Sequence, residues 1–566
     1  MKITFKKEIK STDKFTNDEI VKLLIKNRHI KNLDEFLNPL SPLSVSLLDF
    51  DQKYQQSFKK VLELLKNIKK NDQMIVVYTD YDADGITGGA ILWETLYLLG
   101  FKVMPYVPHR KLEGYGFSKK GIDNVKKLFN PTLIISVDHG ITKVEEIKYA
   151  ASLGIKIIVT DHHLKGEKIP KKAEAIFHIP ALSGSGVAYF FAKEIFLQFK
   201  SPTTNYKLLT TNFSSDYLAL ATIGTIADLV PLTGPSRSVV KHGLQAFKKI
   251  KRVGLKQIIK ESGIENKDIT PYDIGFIIAP RINAIGRLEH AIEALRLLCT
   301  TDIKRAEKLA KHIGLTNRER QDLVIEAVEE ARLRLKASAG KQKKLSKIII
   351  LVSDHWHEGI IGLIASKIAE EFYRPTLVIT KSEENYKGSA RSIPSFHITE
   401  FLHSLKKYII DVGGHKQAAG FTLEKNQLDL FVTAVRDRSE KLIKDKDLER
   451  KIEADLKIPL AKINLSLVKS LEVLEPFGIG NPTPTFYSQG ELVDAKLFGK
   501  TNNHLKIFIK DNNSFPLELI VFNQADKFKE LSRGNLINVV YTLEIDRWNG
   551  RERLRGKAIF FISPLD

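Results

Sequence analysis

Cysteine is almost absent: Cys299 is the only one among 566 residues. A single thiol excludes an intramolecular disulfide and every paired-cysteine metal or redox motif. Long apolar runs are missing as well. The nearest approach, from Tyr217 to Val230, is shorter than the roughly 18 residues a bilayer requires, and it carries Asp228. The opening MKITFKKEIKSTDKF has no uninterrupted apolar core of the kind a secretory leader carries. The expectation is a soluble, cytoplasmic protein that meets no membrane. Negative charge is in deficit, with 67 Asp and Glu against 88 Lys and Arg, a net +21. Such an excess attracts polyanions over long range, nucleic acid first among them, although a lysine-rich surface also serves solubility. Core-forming residues are plentiful: 43% of the chain is hydrophobic, too much for a disordered protein. At roughly 150 residues per domain the length predicts three to four domains.

Two periodicities alternate from about residue 73. Apolar runs at 74–79, 102–107, 132–137 and 156–160 predict buried parallel strands. Between them, helical spacing covers Thr87–Leu99, Ser118–Phe129 and Val144–Leu153. This βαβα order predicts a doubly wound α/β sheet. Further helices are predicted at Gly186–Phe199 and Asp216–Asp228, then a long one from Ile303 to Lys336 with Gly314 as a place where it could break. The small, basic LKASAGKQKKLSK at 335–347 reads as a linker. A second α/β pattern follows: strand 347–353, helix Ile360–Glu371, strand 376–380. From Lys451 onward, short alternating segments predict a small β-barrel.

The strand ends carry the chemistry. VVYTDYDADG places Asp80, Asp82 and Asp84 at the end of an apolar strand; the next strands end in Asp138-His139-Gly140 and Asp161-His162-His163. Open α/β sheets bind ligands at the carboxyl ends of their strands. A single Asp there is commonly a loop residue or a helix cap. Several carboxylates gathered together repel one another unless a cation compensates, and a divalent metal pair provides that and performs hydrolysis. Oxygen donors with one or two imidazoles suit Mn²⁺ or Mg²⁺. Asp228, alone in an apolar helical stretch, is either a satisfied core acid or a further ligand. HWHE at 355–358 is not a zinc-protease motif, because Ile361 stands where the second histidine would be.

The set DYDADG (80–85), SVDHG (136–140), TDHH (160–163) and GTIADLVPLTG (224–234) resembles the DHH phosphoesterase superfamily. VPHRKLEGYGFS (107–118), APRINAIGRL (279–288), NRERQ (317–321), KGSARS (387–392), GGHKQAAG (413–420) and EPFGIGNPTP (475–484) narrow the resemblance to the RecJ family of single-strand-specific exonucleases. It runs from about Phe36 to near the C-terminus. One departure is AIFHIP, where His178 and Pro180 stand in the region in which relatives usually carry an Asn-Pro pair.

The resemblance implies a fold: an N-terminal segment (1–50), a doubly wound DHH catalytic domain (51–300), a connecting helix and basic linker (301–346), a DHH-associated α/β domain (347–450) and an OB-like nucleic-acid-binding barrel (451–566). It implies that Asp82 and Asp138 hold one metal ion, and that Asp84, Asp138, His162 and Asp228 hold the other, with Asp138 bridging. Asp80 supports the first motif, and His163 is similar to the family histidine that faces the scissile phosphate. Arg110, Ser389 and Arg391 match the family's 5′-phosphate pocket, read from the residues alone as arginines in Gly/Ser-rich turns. Arg281, Asn283 and Arg287 match its strand-binding motif, otherwise a helix-linking turn. His415 lies in the segment that closes over the cleft. Phe498, His504, Phe508 and Trp548 are candidates for stacking on bases, unless they are barrel core. The implied activity is 5′-to-3′ degradation of single-stranded DNA to mononucleotides by two-metal hydrolysis, in repair and recombination. Implied partners are a single-strand-binding protein and a RecQ-type helicase. The alternative is another DHH phosphoesterase acting on short oligonucleotides, cyclic dinucleotides or pyrophosphate.

Overall fold

A computed structural model describes residues 2–114, 116–199, 204–342, 345–383, 385–512, 514–548 and 550–562. By internal packing the chain forms two units: one of residues 3–279, 295–303 and 452–566, the other of residues 1–2, 280–294 and 304–451.

In the larger unit, Ile75–Thr79 and Leu133–Val137 are buried at every position. Burial without alternation requires cover on both faces, the condition for a parallel sheet wrapped by helices. The strands run in the order Val103–Tyr106, Ile75–Thr79, Leu133–Val137, Lys156–Asp161, Ala175–His178, all parallel. From Ile75–Thr79 the chain goes first to one edge and then returns to Leu133–Val137 on the other side. The order therefore reverses between these two strands, which is where loops splay and ligands bind. Asp80 and Asp138 lie immediately beyond their ends.

Two helices differ from their expected bounds near this point. Ala83–Leu98 begins before Thr87, because the Asp82 side chain accepts the amides of Asp84 and Gly85 and so caps it. The DADG segment, loop-like in composition, is thereby the first turn of a helix. Gly184–Phe199 likewise starts ahead of Gly186. Both are buried nearly all round, as is Asp216–Ala227, which ends at Asp228.

The same unit holds the expected barrel. Phe486–Phe498, His504–Lys510, Leu517–Val521, Arg551–Ile562 and Leu536–Trp548 pair in turn, and the last pairs back to the first, closing five strands. Closure leaves no open edge within the ring. Lys451–Lys457 and Lys2–Glu8 extend the sheet beyond it. The barrel core takes in Ile20, Leu24 and Phe36, so the N-terminal segment is packed into it. Fully buried Arg237 donates to the carbonyls of Phe36, Leu474, Glu475 and Pro476 and lies 3.7 Å from the Phe36 ring centre. Asn481 donates to two of the same carbonyls and accepts from Arg28. The 474–481 loop is held in turn against the helix-to-helix segment after Asp228, where the Leu232 amide donates to the Ile479 carbonyl at 2.7 Å.

The smaller unit has a mixed sheet in the order Asp411–His415, Ala418–Glu424, Asn385–Arg391, Thr376–Ser382, Ile349–Ser353. The helix Ile303–Gln342 is continuous over 40 residues. Gly314 does not break it, and it extends beyond residue 335, where the linker was expected to begin. Val324, Val328 and Ala331 from this helix pack with Ile361, Ile364 and Ile368 of the helix Ile361–Phe372. Among the described residues no helix is long and apolar enough to cross a membrane.

Candidate metal centre

The sheet brings three strand ends to one rim. Asp138 adopts a left-handed backbone, φ 70°, while its amide donates to the Thr160 carbonyl at 3.0 Å. Asp82 is committed through Oδ1 to the amides it caps, at 2.9 and 3.0 Å. Asp84 points back from the helix it opens and accepts the amides of Gly184 and Ser185, at 2.6 and 2.9 Å. Those amides begin the helix Gly184–Phe199, whose positive end favours a carboxylate. Two glycines make the crowding possible. A Cβ on Gly184 would stand 2.3 Å from Asp138 Oδ1, and one on Gly224 would stand 2.2 Å from Asp84 Oδ1.

Asp228 terminates the helix Asp216–Ala227 rather than sitting within it, and its carboxylate is partly exposed, so it is not a core acid. His162 Nε2 lies 3.2 Å from Asp138 Oδ1, 3.4 Å from Asp228 Oδ2 and 3.9 Å from Asp84 Oδ2. Three sets of donor atoms each fall within 4.8 Å of one another: Asp80, Asp82 and Asp138; Asp84, His162 and Asp228; Asp138, His162 and His163. Asp138 joins the first set to the third.

The electrostatics fit cations in these positions. Burial and the charge of Asp82 push Asp80 well above the ordinary carboxylate range. Burial and Asp84 push Asp138 in the same direction, and Asp82 is raised for the same reasons. Asp228 is raised to about 8 by burial and by Asp84 and Asp82. Burial lowers His162 and leaves a neutral imidazole, and its Nε2 is buried among three carboxylates without a hydrogen bond. Crowded carboxylates whose charge is disfavoured, beside an imidazole nitrogen without a hydrogen bond, have the chemistry of a ligand set for cations. Oxygen with one or two nitrogens and no thiolate matches Mn²⁺ or Mg²⁺.

A second device lies beside it. Asp161 Oδ1 accepts His163 Nδ1 at 2.8 Å and the amides of His162 and His163, while Oδ2 accepts the Ile141 amide. Burial opposes charge on both groups, but their hydrogen bond and mutual attraction prevail. His163 is pushed up to about 9, and Asp161 is held well below the ordinary carboxylate range. His163 is therefore an imidazolium at neutral pH, oriented by Asp161. His178, the departure seen in the sequence, ends the neighbouring strand and meets the His163 carbonyl through Nε2 at 2.7 Å.

The remaining candidates fall in several places. Arg110 opens the short helix Arg110–Glu113, lies 5.1 Å from the ring centre of Tyr81, and is near enough for its charge to act on Asp80. Ser389 and Arg391 belong to the smaller unit and lie in the strand Asn385–Arg391, not in a turn. Arg391 donates to Ser389 Oγ at 3.1 Å and, with Arg450, lines a cavity of about 350 Å³. Arg281, Asn283 and Arg287 lie on the helix Ala279–Leu288, again not a turn, and Arg287 donates to the Gly359 carbonyl at 3.2 Å. His415 is exposed at the end of Asp411–His415.

On the barrel, Phe498 and His504 meet in a cluster with Phe522, at 5.3 Å and 5.1 Å through His504, and Lys506 and Lys557 approach the rings of Phe498 and Phe522. Phe508 is half-buried. The Trp548 side chain lies outside the described residues. Tyr81 and Phe522 were not among the residues singled out in the sequence, and Asp161 was noted at its strand end without a role. The signal for Asp161 was its place beside two histidines; Phe522 had none, because its neighbours reach it only through barrel closure.

Known proteins resemble this chain in sequence and in fold. The DHH family N-terminal domain matches residues 74–225, the DHHA1 domain 345–441 and the RecJ OB domain 454–558. The single-stranded-DNA-specific exonuclease RecJ of Bacillus subtilis is 33% identical over 516 residues, covering 89% of this chain and 63% of its own length. This chain thus spans less than two thirds of that relative. The protein of the same name from Thermus thermophilus is 31% identical over 517 residues, covering 90% of this chain and 71% of its own. The crystal structure of Thermus thermophilus RecJ in complex with Mn²⁺ superposes with a TM-score of 0.79 at 27% identity, covering 100% of this chain and 80% of that one. A crystal structure of exonuclease RecJ bound to manganese gives 0.59 at 31%, covering 70% of this chain and 97% of that one. With domains, sequence and fold agreeing, the chain belongs to the RecJ family.

Proposed function

We propose that this chain is a metal-dependent exonuclease specific for single-stranded DNA, removing mononucleotides from the 5′ end in cytoplasmic repair and recombination. The observation that carries the reading is the meeting of Asp80, Asp82, Asp84, Asp138, His162 and Asp228 at one sheet edge, where burial and repulsion disfavour their charge. Asp82 and Asp138 hold one divalent ion, and Asp84, Asp138, His162 and Asp228 hold a second, with Asp80 beside the first. Bound Mn²⁺ or Mg²⁺ supplies Lewis-acid polarisation of the phosphate and acidification of water.

The chain's own groups do the rest. His163, held charged by Asp161, places a proton and a positive charge where negative charge grows on the phosphate. Arg110 in the larger unit, and Ser389 with Arg391 in the smaller, each offer guanidinium or hydroxyl donors of the kind that suit a terminal 5′-phosphate. Arg281, Asn283 and Arg287 contact the strand, and His415 is carried on a glycine hairpin. The barrel cluster of Phe498, His504 and Phe522 with its lysines holds more distant bases. A single-strand-binding protein and a RecQ-type helicase are the partners this role requires.

The test is digestion of end-labelled oligonucleotides, single- and double-stranded, with added Mn²⁺. The expected result is release of the 5′ mononucleotide first, from single strands alone. Equal cleavage of duplex, or release from the 3′ end, overturns the reading.

A further inference from the structure

Tyr272 and Phe276 are large, aromatic and exposed, at 63% and 70%. Their rings stack on each other at 4.8 Å with an interplanar angle of 23°. The backbone that carries them is anchored. Thr270 and Asp273 form a reciprocal capping pair under Pro271, and Asp273, fully buried, takes Lys267 at 2.6 Å. Ile274 and Ile278 are fully buried on the opposite face.

Residues 274–278 form a π-turn, an arrangement rare in helices and frequent at functional sites. Tyr272 and Phe276 are four residues apart along this helical stretch and so share one of its faces. A fixed backbone that leaves two aromatic rings in water is carrying a surface, because exposing that apolar area is unfavourable.

The position says what the surface meets. Gly275, between the two rings, packs against Ile226 at ordinary van der Waals distance: a Cβ there would lie 3.5 Å from Ile226 Cγ2. Ile226 is two residues before Asp228, the ligand candidate at the end of the same helix. Leu229, next to Asp228, is also exposed, at 65%, with φ 58°. A strand whose phosphate sits at the metal centre has unpaired bases within reach, and flat aromatic surfaces bind bases of any identity by stacking.

We propose that Tyr272 and Phe276 form a nucleobase-stacking platform beside the Asp228 edge of the metal centre. This rests on the single-stranded-DNA reading given above. Its test uses the full-length protein in EDTA, so that strands stay intact. Affinity is measured for an oligonucleotide and for a strand of the same length whose central nucleotides lack bases. In the double variant Tyr272→Ala/Phe276→Ala, the preference for the base-bearing strand is expected to fall about tenfold, the typical worth of one stacked base. Tyr272→Phe/Phe276→Tyr keeps it. Trp fluorescence in Phe276→Trp is expected to be quenched by the base-bearing strand and not by the abasic one. An unchanged preference in the alanine variant, with wild type binding and cutting single strands, overturns the platform alone; such a result assigns the rings to a protein partner. A wild-type protein that neither binds nor cuts single strands overturns the platform and the underlying reading together.

Discussion

At the scale of single residues, catalysis rests on two kinds of electrostatic imbalance. The first is crowding: Asp138 stands between the two groups of donors, where burial and four neighbouring carboxylates disfavour its charge. Asp138→Ala should reduce cleavage by roughly a thousandfold, several kcal/mol of lost metal-assisted stabilisation, while leaving single-strand affinity intact. Steady-state rates and filter binding on the same preparations separate the two. The second imbalance is the Asp161–His163 pair. In the metal-free protein His163 titrates near 9, above the ordinary 6.5, because Asp161 faces it. A raised folded-state value means the group stabilises the fold fully below pH 6.5, and that contribution is lost as pH rises through 9. In Asp161→Asn the titration followed by histidine-selective NMR should drop toward or below 6.5. A value still near 9 would show that Asp161 is not what holds the proton.

Much of this was readable in the sequence, because the acids stand at the ends of uninterrupted apolar strands and composition alone locates such ends. Asp161 was harder to see: its partner is set by the turn after the strand, which only the folded backbone displays. The paired rings of Tyr272 and Phe276 were likewise hidden, since helical spacing by itself does not distinguish an exposed pair from a buried one.

At the scale of elements, the strands matched their apolar runs closely, but first turns and motif-bearing segments did not. DADG looks like a loop until Asp82 is seen to cap the helix that contains Asp84. APRINAIGR contains Pro and Gly yet is helical, continuing directly from the π-turn at 274–278. GSARS reads as a turn by composition, and pairing on both sides makes it a strand.

One element-level contact could not be inferred at all: Arg237 lies about 200 residues from Phe36 and further still from the 474–476 carbonyls it holds. Arg237→Met leaves buried acceptors without donors and should lower stability by roughly 3 kcal/mol in urea unfolding. Because the 474–481 loop carries the Ile479 carbonyl bound by Leu232, the same variant should also weaken Mn²⁺ binding near Asp228. Loss of stability with unaltered metal affinity would confine Arg237 to a packing role. On the barrel, Phe498→Ala/Phe522→Ala should weaken binding of long strands and leave very short ones less affected. Truncation at residue 451 is a poor substitute, since Ile20, Leu24 and Phe36 would lose the core they share with the barrel.

At the scale of the whole molecule, a net charge of +21 gives the chain a field that gathers polyanions, whereas the candidate metal centre is lined by carboxylates. Cations at the rim would offset the repulsion between those carboxylates and a phosphate. Single-strand affinity should then fall steeply as salt rises, as phosphates displace counterions. The decisive quantity is the exchange of protons for metal at that rim. Titration calorimetry of the metal-free protein with Mn²⁺ at pH 7, repeated in buffers of different ionisation enthalpy, reads both at once. The account predicts two ions per chain with net proton release, because Asp228, raised to about 8, holds a proton at pH 7 until a cation arrives, and it predicts that Asp138→Ala loses at least one of the two. No binding, or binding by wild type and Asp138→Ala alike, would contradict it.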